Sequence, residues 1–194
     1  MLSYKDSLKI LKKTDALLEG HFILSSGLHS SQYVQCAQLL SKPSKAEKLC
    51  ISLAEKITNE FSEIDMILSP AMGGIIIGYE IGKLLKKETI FSERVSGEFK
   101  LRRGFKIEKN TKVLVVEDVI TTGKSSLECA ELIIKAEANL LGFACLIDRS
   151  NGNSNLRQKI VSQVQIDIKT YKKDDLPKNL MSIPAIKPGS RDLK

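Results

Sequence analysis

The densest chemistry in the chain lies in Val113-Leu114-Val115-Val116-Glu117-Asp118-Val119-Ile120-Thr121-Thr122-Gly123-Lys124-Ser125-Ser126. An apolar run suited to a buried strand ends in two adjacent acids, and a Thr/Gly/Ser loop then opens into a helix. In open α/β sheets, ligands lie beyond the carboxyl ends of the strands. Loop N–H groups and hydroxyls, with the partial positive charge of a helix N-terminus, suit a phosphate. Acids one strand-end away could grip hydroxyls beside that phosphate, and a phosphate next to a diol describes a ribose phosphate. A buried strand ending in Glu-Asp is costly unless those acids have partners, which argues against an ordinary turn. Gly123-Lys124-Ser125 imitates the end of a P-loop, but that pattern requires a Gly where Asp118 stands. A carboxylate there would repel the phosphates, so the P-loop class is excluded.

Other residues could serve the same ligand. Arg149 follows Leu146-Ile147-Asp148 at a strand end, and its planar fork suits a carboxylate or imide oxygens. A pairing with Asp148 is the rival reading. Gly73 and Gly74, after Pro70, would let backbone N–H groups approach a pyrophosphate closely, although a plain helix-start turn would use them too. Residues 92–105 alternate Phe99 and Leu101 with Lys100 and Arg102, as an exposed hairpin does. Tyr33 could stack on a base or belong to the core.

The elements that must position these groups follow from periodicity. A helix is expected over 3–18, with Ser3 and Asp6 as a capping pair and Leu8, Leu11 and Leu18 on its apolar face. Short strands and turns follow over 20–40. Ser44-Lys45-Ala46-Glu47 has capping-box form before a helix with Ala46, Leu49, Cys50, Leu53 and Ile57 in register. Asp65–Leu68 reads as a strand, and the next helix should bury Ile77, Ile81, Leu84 and Leu85. Thr89–Phe91 begins a strand and charged hairpin with Ser96-Gly97 at the turn. Val113–Val116 is a strand, and Ser125–Ala138 a helix with Leu127, Ala130 and Ile134 in register. Leu141–Ile147 is a buried strand, and Val164, Ile166 and Ile168 alternate as a half-exposed last one. Continuous apolar strands between helices predict a parallel sheet covered on both faces, a three-layer α/β domain.

Composition narrows the class. The 194 residues fit one domain with a small appendage, and 42% hydrophobic with 27% charged residues are ordinary for a globular protein. The longest apolar candidate, Ile75 to Leu85, is broken by Glu80 and Lys83, so no membrane partner is expected. The start, Met1-Leu2-Ser3-Tyr4-Lys5-Asp6, lacks an apolar signal core, and the cytoplasm is the expected address. Cys36, Cys50, Cys129 and Cys145 show no Cys-x-x-Cys spacing and read as buried hydrophobes. His21 and His29 alone cannot build a His/Cys metal site. A net charge of +7 invites a nucleic-acid reading, but lysines are spread along the chain, aromatics are 5%, and no reader motif is present. The charge suits solubility and the capture of anionic small molecules.

Residues 113–126 resemble the PRPP-binding signature of the type I phosphoribosyltransferases. The resemblance implies that Glu117 and Asp118 hold the ribose hydroxyls while Val119, Ile120, Thr121, Thr122, Gly123, Lys124 and Ser125 cradle the 5′-phosphate. Similarity to the orotate-specific subfamily runs through nearly the whole chain. Phe22–Ser30 with Tyr33 resembles its N-terminal hood, and Ser69–Gly74 its pyrophosphate loop, including Ala71, Met72, Gly73 and Gly74. Leu101–Phe105 resembles part of its mobile loop, Asp148-Arg149 its base-recognition arginine, and Ala185–Arg191 a tail of one bacterial branch. By this resemblance Thr121 and Arg149 contact orotate. Many members place lysines in the pyrophosphate and mobile loops and a histidine in the latter. Here Met72 stands in the pyrophosphate loop and Ser25 replaces a hood lysine. The mobile stretch offers Arg94, Lys100, Arg102 and Arg103, of which Arg94 is the first choice to neutralise the leaving group.

The expected architecture is thus the type I phosphoribosyltransferase fold: a central, mainly parallel sheet flanked by helices, with a small N-terminal hood. The expected division is a hood over 1–40, a core over 41–172, and a tail over 173–194 packing on core or hood. The implied reaction joins orotate to the ribose phosphate of PRPP, with Glu117, Asp118 and Arg94 in catalytic roles. Mg²⁺ would be carried on PRPP and water rather than by direct protein ligands. The resemblance also implies a homodimer whose loop reaches the neighbouring site.

Overall fold

The computed structural model describes residues 1–24 and 26–188. Ser25 lies outside the described residues, as do Gly189, Ser190 and Arg191 of the expected tail segment. In chain order the elements are α1 (Tyr4–Lys13), β1 (Leu17–Ile23), β2 (His29–Val34), α2 (Cys36–Leu40), α3 (Pro43–Glu60), β3 (Met66–Pro70), α4 (Gly73–Leu85) and β4 (Glu88–Val95). There follow β5 (Glu98–Leu101), β6 (Lys112–Ile120), α5 (Lys124–Lys135), β7 (Asn139–Asp148), β8 (Ile160–Gln165), β9 (Thr170–Tyr171) and α6 (Lys178–Met181). No helix among the described residues is long and apolar enough to cross a membrane.

The main sheet has the order β5-β4-β3-β6-β7-β8. Every neighbouring pair in it is parallel except the β4–β5 hairpin. Side chains on a strand alternate between faces, so each continuous apolar strand feeds two cores. Ile67, Leu114, Val116, Ala144 and Leu146 join the cluster under α1, α2, α3 and α4. Met66, Leu68, Val113, Val115, Phe143 and Cys145 join the one under α5. All four cysteines are free and buried, as small hydrophobes in such a core should be.

Four local expectations fail, one being the last strand: it was expected to carry Val164, Ile166 and Ile168, but β8 ends at Gln165 and β9 follows it. The first helix stops at Lys13, because Thr14 turns its hydroxyl back to the Ile10 carbonyl and Asp15 takes a left-handed φ of 60°. Leu18 therefore sits on β1, while Ser3 caps α1 as expected, accepting from the Asp6 amide at 3.1 Å. The Ser44–Glu47 capping box does not form; Pro43 opens α3 and Lys42 is its N-cap. Proline has no N–H to lose and a preset φ, so it starts the helix ahead of the box. On α5 the inward face is Ser126, Cys129, Ala130 and Ile133, whereas Leu127 and Ile134 face outward. Ser126 turns inward because its hydroxyl bonds the Glu117 carboxylate.

The N-terminal segment builds a second sheet, β1-β2-β9, to which the last strand among the described residues contributes. Leu11, Ala16 and Leu17 share a cluster with α3 and β6, so this hood and the main domain bury one continuous core. The tail runs back along β1: Ile186 exchanges backbone bonds with His21 and Ile23, each 2.8 Å.

Candidate active site

Two crossovers diverge at the centre of the main sheet. β3 leads through α4 to β4 on one side, and β6 leads through α5 to β7 on the other. Adjacent strands whose connections part in this way leave a crevice at their carboxyl ends, the favoured ligand position in such sheets. The loop after β3 and the loop after β6 both open there.

They meet. A Cβ built on Gly73 would lie 2.8 Å from Asp118 Oδ1, so the start of α4 rests directly against that carboxylate. Any larger residue at 73 would push one of them away. The Ala71–Met72 peptide is cis, and the Met72 side chain is 83% exposed rather than core.

β6 runs further than the apolar pattern suggested, carrying Glu117 and Asp118 inside its pairing with β7 and ending at Ile120. Val119 and Ile120, expected in the phosphate cradle, are strand residues, and Ile120 is buried in the core. The open loop is therefore Thr121, Thr122 and Gly123, with both threonines exposed. Gly123 has φ 76°, and Leu156 presses on it closely enough that a Cβ would meet Leu156 Cγ at 2.7 Å. Helix α5 begins at Lys124 without a side-chain cap, which leaves first-turn N–H groups for an anion.

Strand alternation sends the two acids to opposite sides of the sheet edge. Glu117 points toward α5 and accepts from the Ser126 hydroxyl. Asp118 points toward Gly73. Both are half-buried. Burial lifts the Glu117 carboxyl to about 7; the Ser126 bond opposes that rise and the neighbouring Asp118 charge adds to it. Burial raises Asp118 too, against bonds from the Val119 amide and its own.

Arg149 follows β7, half-buried, its amide bonded to the Ile120 carbonyl at 2.8 Å. The rival pairing is not formed: the Asp148 carboxylate accepts from the Ser150 amide at 2.8 Å and from Gln165 Nε2 at 3.3 Å. Arg149 Nε is buried without a hydrogen-bond partner. Burial pulls its pKa down, while Tyr33 and Cys36 lie near enough to act on it electrostatically. Tyr33 also packs on Phe22, ring centroids 5.7 Å apart, so it belongs half to the hood and half to the crevice.

The cationic hairpin is tied up in pairs. Arg94 bridges to Glu128 on α5 at 2.8 Å, lies over Phe99 and donates to the Gly97 carbonyl. Arg102 and Arg103 share Glu93, at 3.3 and 2.5 Å. Lys100 sits 3.7 Å from Glu98. Two groups escaped sequence reading: Ser126, and Cys36, whose thiol points at the Asp118 carbonyl at 3.8 Å. Ser126 directly follows the expected cradle, but apolar spacing predicts Leu127 and Ile134 inward in its place. Cys36 comes from a distant hood segment and carried no such signal. Among the described residues no three potential ligands gather as a metal site.

Residues 37–174 match the phosphoribosyl transferase domain family. An orotate phosphoribosyltransferase of Parvibaculum lavamentivorans is 50% identical over 187 residues, 96% of each chain. One of Erythrobacter litoralis is 46% identical over 188 residues, 96% of this chain and 97% of that one. The crystal structure of orotate phosphoribosyltransferase from Aeropyrum pernix superposes with TM-score 0.72 at 26% identity, covering 81% of this chain and 92% of the other. The chain belongs to the phosphoribosyltransferase family and, within it, to the orotate phosphoribosyltransferases.

Proposed function

We propose that this chain transfers the ribosyl phosphate of PRPP to orotate, giving orotidine 5′-phosphate and pyrophosphate for UMP synthesis. The observation that carries the reading is the contact between Gly73 and Asp118, which joins the glycine loop and the acids in one crevice. Thr121, Thr122, Gly123, Lys124 and Ser125 would take the 5′-phosphate at the uncapped start of α5. Glu117 and Asp118 would accept the ribose hydroxyls, and Ala71, Met72, Gly73 and Gly74 would present backbone to the pyrophosphate. Arg149, with its buried unpartnered Nε, would meet the orotate carboxylate beside Thr121.

The bond from the anomeric carbon to pyrophosphate breaks as the base nitrogen forms its own bond there. Charge separation is the difficulty, so positioning and electrostatics suffice without a covalent enzyme intermediate. Mg²⁺ would be held on substrate oxygens and water, with Glu117 and Asp118 bonding to its waters. When bound, that ion would offset charge on the departing pyrophosphate. Residues 94–105 would close over the crevice to exclude water, and Arg94 would reach the leaving group by exchanging its Glu128 partner for it. A homodimer acting in the cytoplasm completes the proposal. An exposed apolar stripe on α4 supports the dimer.

The test is orotate absorbance in the presence of PRPP and Mg²⁺, with adenine and guanine in parallel. Loss of orotate absorbance is expected only when PRPP is present. Turnover of a purine with none of orotate would overturn the substrate assignment.

A further inference from the structure

Ser126 is fully buried on the first turn of α5, yet its hydroxyl does not fold back onto its own helix. It donates to Glu117 Oε2, across from helix to strand. The carbonyl four residues back, that of Thr122, lies ahead of α5 and accepts from the Asn155 amide at 3.2 Å, so the acid is the acceptor the hydroxyl takes. We propose that Ser126 is a positioning residue of the transferase site, holding the Glu117 carboxylate in the orientation that accepts a ribose hydroxyl. The inference rests on the function proposed above.

The surroundings of Glu117 explain why a positioning group is needed. On its own strand, Asp118 adds like charge. From α5 comes the Cys129 thiol, pushed up to about 12 by burial, and from β7 the Cys145 thiol, raised well above its ordinary value by the same cause. Both thiols stay neutral in the working range, and the Cys129 thiol is paired with the Ser92 hydroxyl rather than with the carboxylate. Toward β4, Ser92 contacts Cys129, and the Arg94–Glu128 ion pair acts on Cys129 as well. Among the described residues Ser126 is the group that favours the charged form of Glu117. Without it the buried acid keeps its proton and turns from acceptor to donor.

The experiment follows the Glu117 side-chain carboxyl carbon by NMR as pH is varied in the ligand-free chain, its signal identified by its loss in Glu117→Gln. In Ser126→Ala the titration midpoint rises by about one pH unit, the scale of a hydrogen bond to a charged group. Ser126→Thr, which keeps the hydroxyl, returns it toward the original value. The acidic limb of kcat/KM for PRPP moves to higher pH in step, and in a Glu117→Gln background Ser126→Ala lowers kcat/KM no further. An unmoved midpoint in Ser126→Ala, or equal losses with and without Glu117, overturns the proposal and makes Ser126 a packing residue. Absence of any PRPP-dependent orotate turnover in the unaltered chain would instead sink the functional reading, while the titration would still report on the Ser126 contact.

Discussion

Burial works against the charge that the reaction asks of Glu117. Its carboxyl has an ordinary value of 4.5 and sits at about 7 in the folded chain. Between those values the folded state keeps a proton that the unfolded state has lost, so stability falls as pH rises through that window and levels off above it. Glutamine cannot ionise. Glu117→Gln should therefore be more stable than the unaltered chain on the alkaline side, by on the order of 1–2 kcal/mol after discounting its partial exposure. Below pH 4.5 the two should converge, as urea unfolding at both ends of the range would report. A variant less stable in alkali would mean that the carboxylate is held by partners beyond Ser126. Arg149 gives the complementary test. Arg149→Ala should lower kcat/KM for orotate about a hundredfold, the scale of lost charge-assisted bonds, and leave PRPP affinity nearly unchanged. Equal losses for both substrates would make it structural. The acids and Arg149 were legible because each closes an apolar run, and strand ends in such sheets face the ligand. That Glu117 and Asp118 diverge was legible only in part. Alternation predicts it, but the expected strand ended before the acids, and the pairing that extends β6 to Ile120 lies on β7.

At the scale of elements, the site is a junction between two helix starts, and the residue that sets their spacing is Gly73. Its replacement by alanine puts a methyl group 2.8 Å from Asp118 Oδ1. Gly73→Ala should therefore cut kcat/KM for PRPP by at least tenfold, with orotate unable to rescue it. Its thermal midpoint should change little, because alanine favours the helix that begins there. An active Gly73→Ala enzyme would show that Asp118 can swing aside without consequence. The hood has its own fastening. The Ile183 carbonyl can only accept, so His21 Nδ1 donates to it at 2.9 Å, and His21 Nε2 takes the proton of His29 Nδ1 at 2.7 Å. His21→Ala should free the tail and raise its cleavage rate by a non-specific protease about tenfold, leaving the sheet core protected. Unchanged cleavage would assign the anchoring to the Ile186 backbone pair alone. Helices α3 and α4 and the hairpin turn at Ser96-Gly97 were readable from period and turn chemistry. The hood's β1–β2 hairpin falls among the short strands and turns expected over 20–40, but its third strand was not readable, since β2 pairs with β9 across about 140 residues of chain and local pattern carries no such partner. The face of α5 was misread because apolar spacing cannot foresee a serine drawn inward by an acid.

At the scale of the whole molecule, helix α4 presents a surface that packs into no core among the described residues. Met72, Ile76 and Tyr79 are 83%, 55% and 67% exposed, and their spacing puts them on one side of α4. The opposite side, with Ile77 and Ile81, is buried against the sheet, so the stripe is not a core face left half covered. Large apolar side chains exposed in a row of this kind mark an interaction site. Because Met72 lies in the loop proposed to hold pyrophosphate, a second copy seated on the stripe would come to rest beside the crevice. That placement agrees with the proposed homodimer and with a hairpin reaching across to the neighbour. Ile76→Glu with Tyr79→Glu should then halve the mass seen by sedimentation velocity, since like charges would face each other across a two-fold contact. The variant should remain folded, because neither side chain supports the interior. Its orotate turnover should fall if the hairpin serves the other subunit's site and persist if each crevice is complete in one chain. A monomeric unaltered protein, or a double variant with unchanged mass, would remove α4 from the interface.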